Sequence, residues 1–151
     1  MKLQIASRIA VFAVMALAAD PERQLSAAEI GTKYGLSTHH LAKVLHALGR
    51  ARLVRSVRGA GGGYRFSGNA KRTTLLDVIQ LFERVGDPHA AGNEPGEDSE
   101  VGRALRQVLD EIDEIAMATL GSITISTLLK MAARQRAAAA RSIEPSTAET
   151  G

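Results

Sequence analysis

The chain has 151 residues, 45% of them hydrophobic but only 3% aromatic, with no Trp and no Cys. That supplies one domain, or one domain with an oligomerisation arm, packed mainly through helices rich in Ala and Leu. The net charge is +3, and the missing thiols exclude disulfides and thiolate metal sites and fit a cytoplasmic protein.

The first stretch has two readings. Lys2 and Arg8 precede an apolar run, Ile9–Ala19, that resembles a signal peptide with Ala16-Leu17-Ala18 as its cleavage motif. The run is too short to span a bilayer. Leu3, Ala6, Ala10, Ala13 and Leu17 share one helical face, and Ile5, Ile9, Phe12 and Ala16 share its neighbour. The preferred expectation is therefore a buried first helix over Leu3–Ala19, stopped by Asp20-Pro21. Ser26-Ala-Ala-Glu29 is a capping box that starts a second helix ending near Gly35. Gly35-Leu36-Ser37 is a tight turn, and Ser37 is the N-cap of a third helix with Leu41, Val44, Leu45 and Leu48 inward. Leu53 to Arg58, a glycine cluster, and Tyr64-Arg65-Phe66 read as a β-hairpin with a glycine-rich tip.

Helix, turn, helix and basic hairpin together outline a winged helix-turn-helix, with the third helix suited to a DNA major groove. Charge supports this. Between Ile30 and Leu76 there is no Asp or Glu, while the span holds nine cations: Lys33, Lys43, Arg50, Arg52, Arg55, Arg58, Arg65, Lys71 and Arg72. Clustered cations displace the counterions of nucleic-acid phosphates, whereas a merely solvated basic face has no reason to sit on such a motif.

Downstream the balance inverts, with eleven acids against three arginines from Asp77 to Glu114. Thr74 and Asp77 form another capping box, opening a helix that turns Leu75, Val78, Ile79 and Phe82 to one face. Gly86 to Ser99 lacks periodicity and reads as a loop. Val101, Leu105, Val108, Ile112 and Ile115 then repeat at heptad spacing on a long helix, a seam that needs a partner, either the chain's own first helix or, as the preferred expectation, the same helix of a second subunit. Gly121-Ser122 interrupts it, a last helix runs from Ile125 to Arg141, and the tail from Ser142 is disorder-prone in composition. The expected organisation is a winged-helix domain at 1–83, a loop at 84–100, dimerisation helices at 101–141 and a tail at 142–151.

The expected DNA contacts follow from position. Ser37, Thr38, His39, His40 and Lys43 occupy the first turns of the recognition helix, where side chains meet base edges and amides meet phosphate. Arg58 suits a narrow minor groove at the wing. Arg50, Arg55, Gly59, Gly62, Gly63 and Tyr64 complete the set. The glycines lack the Gly-Lys-Ser/Thr of a nucleotide loop, and His39 with His46 lacks the carboxylate of a good metal site. No nucleophile–base–acid constellation is visible, so an enzyme is not expected.

Arg58-Gly-Ala-Gly-Gly-Gly-Tyr64-Arg-Phe66 resembles the wing of the Rrf-type bacterial transcription regulators, the IscR-, NsrR- and RirA-like winged helix-turn-helix family. Leu53-Val54, the Leu36-Ser37 turn, Thr74 to Ile79 and Val101 to Leu105 extend the resemblance over about residues 1 to 133. It implies a homodimer on a palindromic promoter site, with bases faced by His39 and Lys43. Many members hold an iron–sulphur cluster on three cysteines before the long helix. Here Ser99 stands about where the last would fall, and Arg8 stands where some members have an acidic ligand. The expectation is a regulator, in the sense of a repressor, with no cofactor. A small ligand or a protein partner could still act as effector, and His89, Asp87, Asp98 and Glu100 could take a divalent ion weakly. The competing function is an adaptor that binds a partner protein through its acidic loop and tail.

Overall fold

A computed structural model describes residues 1–86 and 95–143. Among them lie α1 (Ile5–Ala18), α2 (Ala27–Tyr34), α3 (Thr38–Arg50), β1 (Val54–Val57), β2 (Gly63–Phe66), α4 (Leu75–Ile79), α5 (Glu100–Ser122) and α6 (Ile125–Ile143). Residues 87–94 of the loop expected at 84–100, and residues 144–151 of the tail expected at 142–151, lie outside the described residues.

The first helix is the axis of the core. It is shorter than expected, starting at Ile5 and ending at Ala18, and its C-terminal half is buried on every side rather than on one stripe. Ala10, Ala13, Val14 and Leu17 are wholly inaccessible. Such small residues let neighbouring elements approach closely, and α2, α3, α4, α6 and β2 all pack on this helix. The apolar run that resembles a signal sequence is thus the centre of the domain.

The second and third helices form the expected pair. The Ser26–Glu29 box is complete: the Glu29 N–H donates to Ser26 Oγ at 3.1 Å, and the Ser26 N–H donates to the Glu29 carboxylate at 2.7 Å. These bonds, the backbone one foremost, hold the Glu29 carboxyl below its usual pKa range. Gly35 takes the left-handed conformation that ends α2. Ser37 is the N-cap of α3 by position, but its hydroxyl makes no capping bond. The buried side of α3 is Leu41, Val44, Leu45 and Leu48, as the periodicity requires.

Helix α3 ends in a Schellman turn, with the Leu53 N–H on the Leu48 carbonyl and the Arg52 N–H on the Gly49 carbonyl, both at 3.0 Å. Arg52 therefore has φ 61°, the one positive φ at a non-glycine among the described residues. The hairpin that follows is antiparallel, with Val54 opposite Phe66 and Val57 opposite Gly63. Val54 and Phe66 anchor its base in the core. A bridge that the sequence did not suggest adds Leu25 to the outside of β2, through reciprocal bonds with Tyr64 of 3.0 and 2.8 Å.

Helix α4 spans only five residues, so Phe82 packs from the turn after it rather than from its face. Its Thr74–Asp77 box is complete. Here the C-terminal arm is stitched to the core: the Leu75 N–H donates to Ile123 O and the Ile125 N–H to Thr73 O, each at 2.9 Å. Ile125 is fully buried, whereas α5 buries none of its residues. The last helix continues to Ile143, two residues past the expected end.

Gly63 has no room for a side chain: a Cβ there would lie 2.5 Å from the Leu25 carbonyl oxygen. Gly63→Ala should part the Leu25 bridge and lower stability by about 1–3 kcal/mol, measured as a lower urea midpoint with an unchanged slope.

Candidate nucleic-acid interface

Opposite its buried face, α3 presents one continuous stripe. At 100° per residue, His39, Lys43, His46 and Arg50 fall close together, and all four are exposed. His39, Lys43 and Arg50 are expected here from the sequence. His46 had been weighed only as a metal ligand, although its spacing of three from Lys43 and four from Arg50 already placed it here. Thr38 and His39 lie at the exposed N-terminal end of the stripe. His40 is also exposed, and its ring sits 6.0 Å from that of His39. It stands at the edge of the stripe, where it borders an apolar depression of about 450 Å³ lined with Ile5, Ile9, Val44 and Phe82.

The hairpin projects a second basic group. Arg58 and Gly59 are exposed at the tip, where Gly59 has φ 108°. Gly62 is needed for the tip itself, since a Cβ would lie 2.6 Å from the Val57 carbonyl oxygen. The Gln24 side-chain amide donates to the Gly61 carbonyl and ties the tip to the segment before α2. Arg55 and Arg65 face each other directly across the strands. Like charges so placed repel, and no carboxylate offsets them: among the described residues neither forms an ion pair, and the Arg65 Nε is buried without a hydrogen bond. Tyr64 is half-buried against the core. Stripe and hairpin flank a cleft of about 480 Å³, bordered by Arg50, Arg52 and Arg55.

A helix presenting cations along its exposed face, beside a cationic hairpin, is the geometry of a winged-helix DNA reader. The model of a family of transcriptional regulators, described as "Iron-dependent Transcriptional regulator", matches residues 3–131. The chain belongs to the Rrf2 family. It is 55% identical over 137 residues to an HTH-type transcriptional regulator named BadM from Rhodopseudomonas palustris, covering 90% of this chain and 86% of that one. Its fold is similar to that of T. potens IscR, with TM-score 0.65 and 27% identity over 100% of this chain and 94% of that one. It is also similar to CymR, the global cysteine regulator of B. subtilis, with TM-score 0.63 and 26% identity over 87% of this chain and 98% of that one. As an Rrf2 protein the chain is a DNA-binding transcriptional regulator and not an enzyme. Among the described residues no helix is long and apolar enough to cross a membrane.

The iron chemistry in the Rrf2 description meets a donor set that does not fit an iron–sulphur cluster. The chain has no cysteine. Ser99 caps α5, its Oγ accepting from the Gly102 N–H at 2.9 Å and donating to the Gly96 carbonyl at 2.6 Å. The Arg8 guanidinium lies over the Phe12 ring, 5.6 Å from its centre. Among the described residues no three His, Asp or Glu side chains stand together as metal ligands.

Arg58→Ala should weaken DNA binding while Arg141→Ala, on the last turn of α6, should not. Loss of one phosphate or groove contact should also flatten the salt dependence by about 0.9 in the log–log slope. Equal affinities for the two variants would remove the wing from the interface.

Proposed function

We propose that this Rrf2 protein acts as a homodimer on a palindromic promoter site, in the sense of a repressor that occupies its DNA, and that it does so without an iron–sulphur cluster. The observation that carries the dimer is the seam on α5. Val101, Leu105, Val108, Ile112 and Ile115 are 53–78% exposed, an apolar strip about 21 Å long. It is not the face that α5 turns to its own domain. That face carries Met117, against Gly86, while Gly121 meets Leu76. Contiguous apolar surface of this kind marks an interaction site, and its heptad spacing matches a like helix. The acids Asp110, Asp113 and Glu114 stand away from the strip and keep it oriented.

A two-fold axis through the paired α5 helices would present two copies of the α3 stripe, hence a site of two inverted halves on successive major grooves. Within each half, His39, Lys43 and Arg50 would lie in the major groove with Ser37 and Thr38 at its edge, and Arg58 would reach the neighbouring minor groove.

Ile112→Glu places a charge beside its own symmetry mate and should yield monomers in sedimentation or light scattering, with DNA affinity lost and the reading head unchanged by circular dichroism. A full dimer would show that the strip serves another partner. The cofactor-free reading has its own measurement. Protein produced and purified without oxygen should be colourless, carry no stoichiometric iron, and bind DNA equally with and without chelator. A brown protein, or binding abolished by chelator, would overturn it.

A further inference from the structure

We propose that the cleft between α3 and the hairpin is a seat for one DNA backbone phosphate, and that Arg52 is the side chain that reaches it. The inference rests on the DNA-binding reading of stripe and wing. If α3 lies in a major groove and the wing in the adjacent minor groove, the sugar–phosphate strand separating those grooves runs between the two elements. Between them lies the cleft of about 480 Å³, lined by His46, Arg50, Arg52, Arg55, Ser56 and Tyr64 among others. No carboxylate lines it, and among the described residues none of the three arginines has an ion-pair partner.

Arg52 is the anomaly that makes the assignment specific. It occupies the position after the helix where left-handed backbone is required and glycine is the ordinary solution. An L-residue there is strained. The strain is held in place from the hairpin side, where Ser67 Oγ donates to the Arg52 carbonyl at 2.9 Å. The chain therefore keeps a strained backbone and three crowded cations at one place. Both cost the free protein stability, and an oxyanion in the cleft would offset the crowding. Strain retained at a binding element is a known exchange of stability for function. A phosphodiester suits the donors present, since arginine forks pair with phosphate oxygens and hydroxyls add neutral donors. Because such a contact touches no base edge, it fixes register and affinity rather than sequence choice.

The test is Arg52→Gly, with Arg52→Asn as a second variant that tolerates the same backbone and lacks the charge. Each is melted, then titrated with a duplex from the region upstream of its own gene and with a random duplex of equal length. The expected result is opposite signs: the glycine variant melts higher than wild type, yet both variants bind both duplexes about tenfold more weakly. The salt slope should be shallower by about 0.9. Unchanged DNA affinity overturns the seat, as does a lower melting temperature for the glycine variant, which would mean Arg52 is kept for packing. Melting with inorganic phosphate separates the other source of the same chemistry. Protection that vanishes in the variants while DNA affinity stays at the wild-type level would assign the cleft to a free anion instead. If wild type binds neither duplex, the DNA reading itself fails, which is a different outcome from a variant that matches wild type.

Discussion

The enclosure of α1 is the constraint on which the rest depends. A helix whose C-terminal half is surrounded on all sides needs small residues where neighbours come close, and Ala10, Ala13, Ala16 and Ala18 provide them. Because α3 and β2 both pack on it, the orientation of the helix that carries the basic stripe is set from inside the domain. The hydroxyl of Ser7 is buried there without a hydrogen bond, the one polar intrusion into an otherwise apolar helix face. The axis is also tied at its start, where the Gln4 N–H donates to the Glu83 carboxylate at 2.7 Å.

Much of this was legible from local chemistry. Both capping boxes were readable because they are written in side chains at fixed spacing, and both form fully. The left-handed Gly35 and the inward face of α3 were legible for the same reason. What was not legible is backbone pairing between remote segments: the Leu25–Tyr64 bridge and the stitch from Thr73 and Leu75 to Ile123 and Ile125 use main-chain groups that any residue carries. Arg52 was opaque because an arginine gives no warning of positive φ. The glycines of the wing were foreseen as glycines, but Gly62 and Gly63 owe their lack of side chains to neighbouring carbonyls of the wing and Leu25. His46 was visible by its spacing from Lys43 and Arg50 but was weighed, and set aside, only as a metal ligand.

Charge is partitioned along the chain more sharply than the net value suggests. The acid-free block forms α3, the hairpin and their surroundings, while Asp110, Glu111, Asp113 and Glu114 stand on α5. A polyanion is drawn to the acid-free block and repelled by the acids of α5, which would bias diffusional encounters towards the basic stripe, although Lys130, Arg134, Arg136 and Arg141 make α6 basic again. The ion pair of Arg106 with Glu97, 2.6 Å apart, shows how the few cations of the acidic part are used locally.

The stitch at the elbow between α5 and α6 has a mechanical meaning. Helix α5 has 23 residues and so is about 34 Å long. Among the described residues it meets the domain towards its C-terminal end, where Met117 lies against Gly86 and Gly121 near Leu76. For a rod of that length, a tilt of about 5° at the elbow sweeps the free end through about 3 Å, by the rise per residue of the helix. Backbone hydrogen bonds from Leu75, Ile125 and Ser126 and the buried Ile125 hold that junction, so any rotation there would be magnified at the far end of α5.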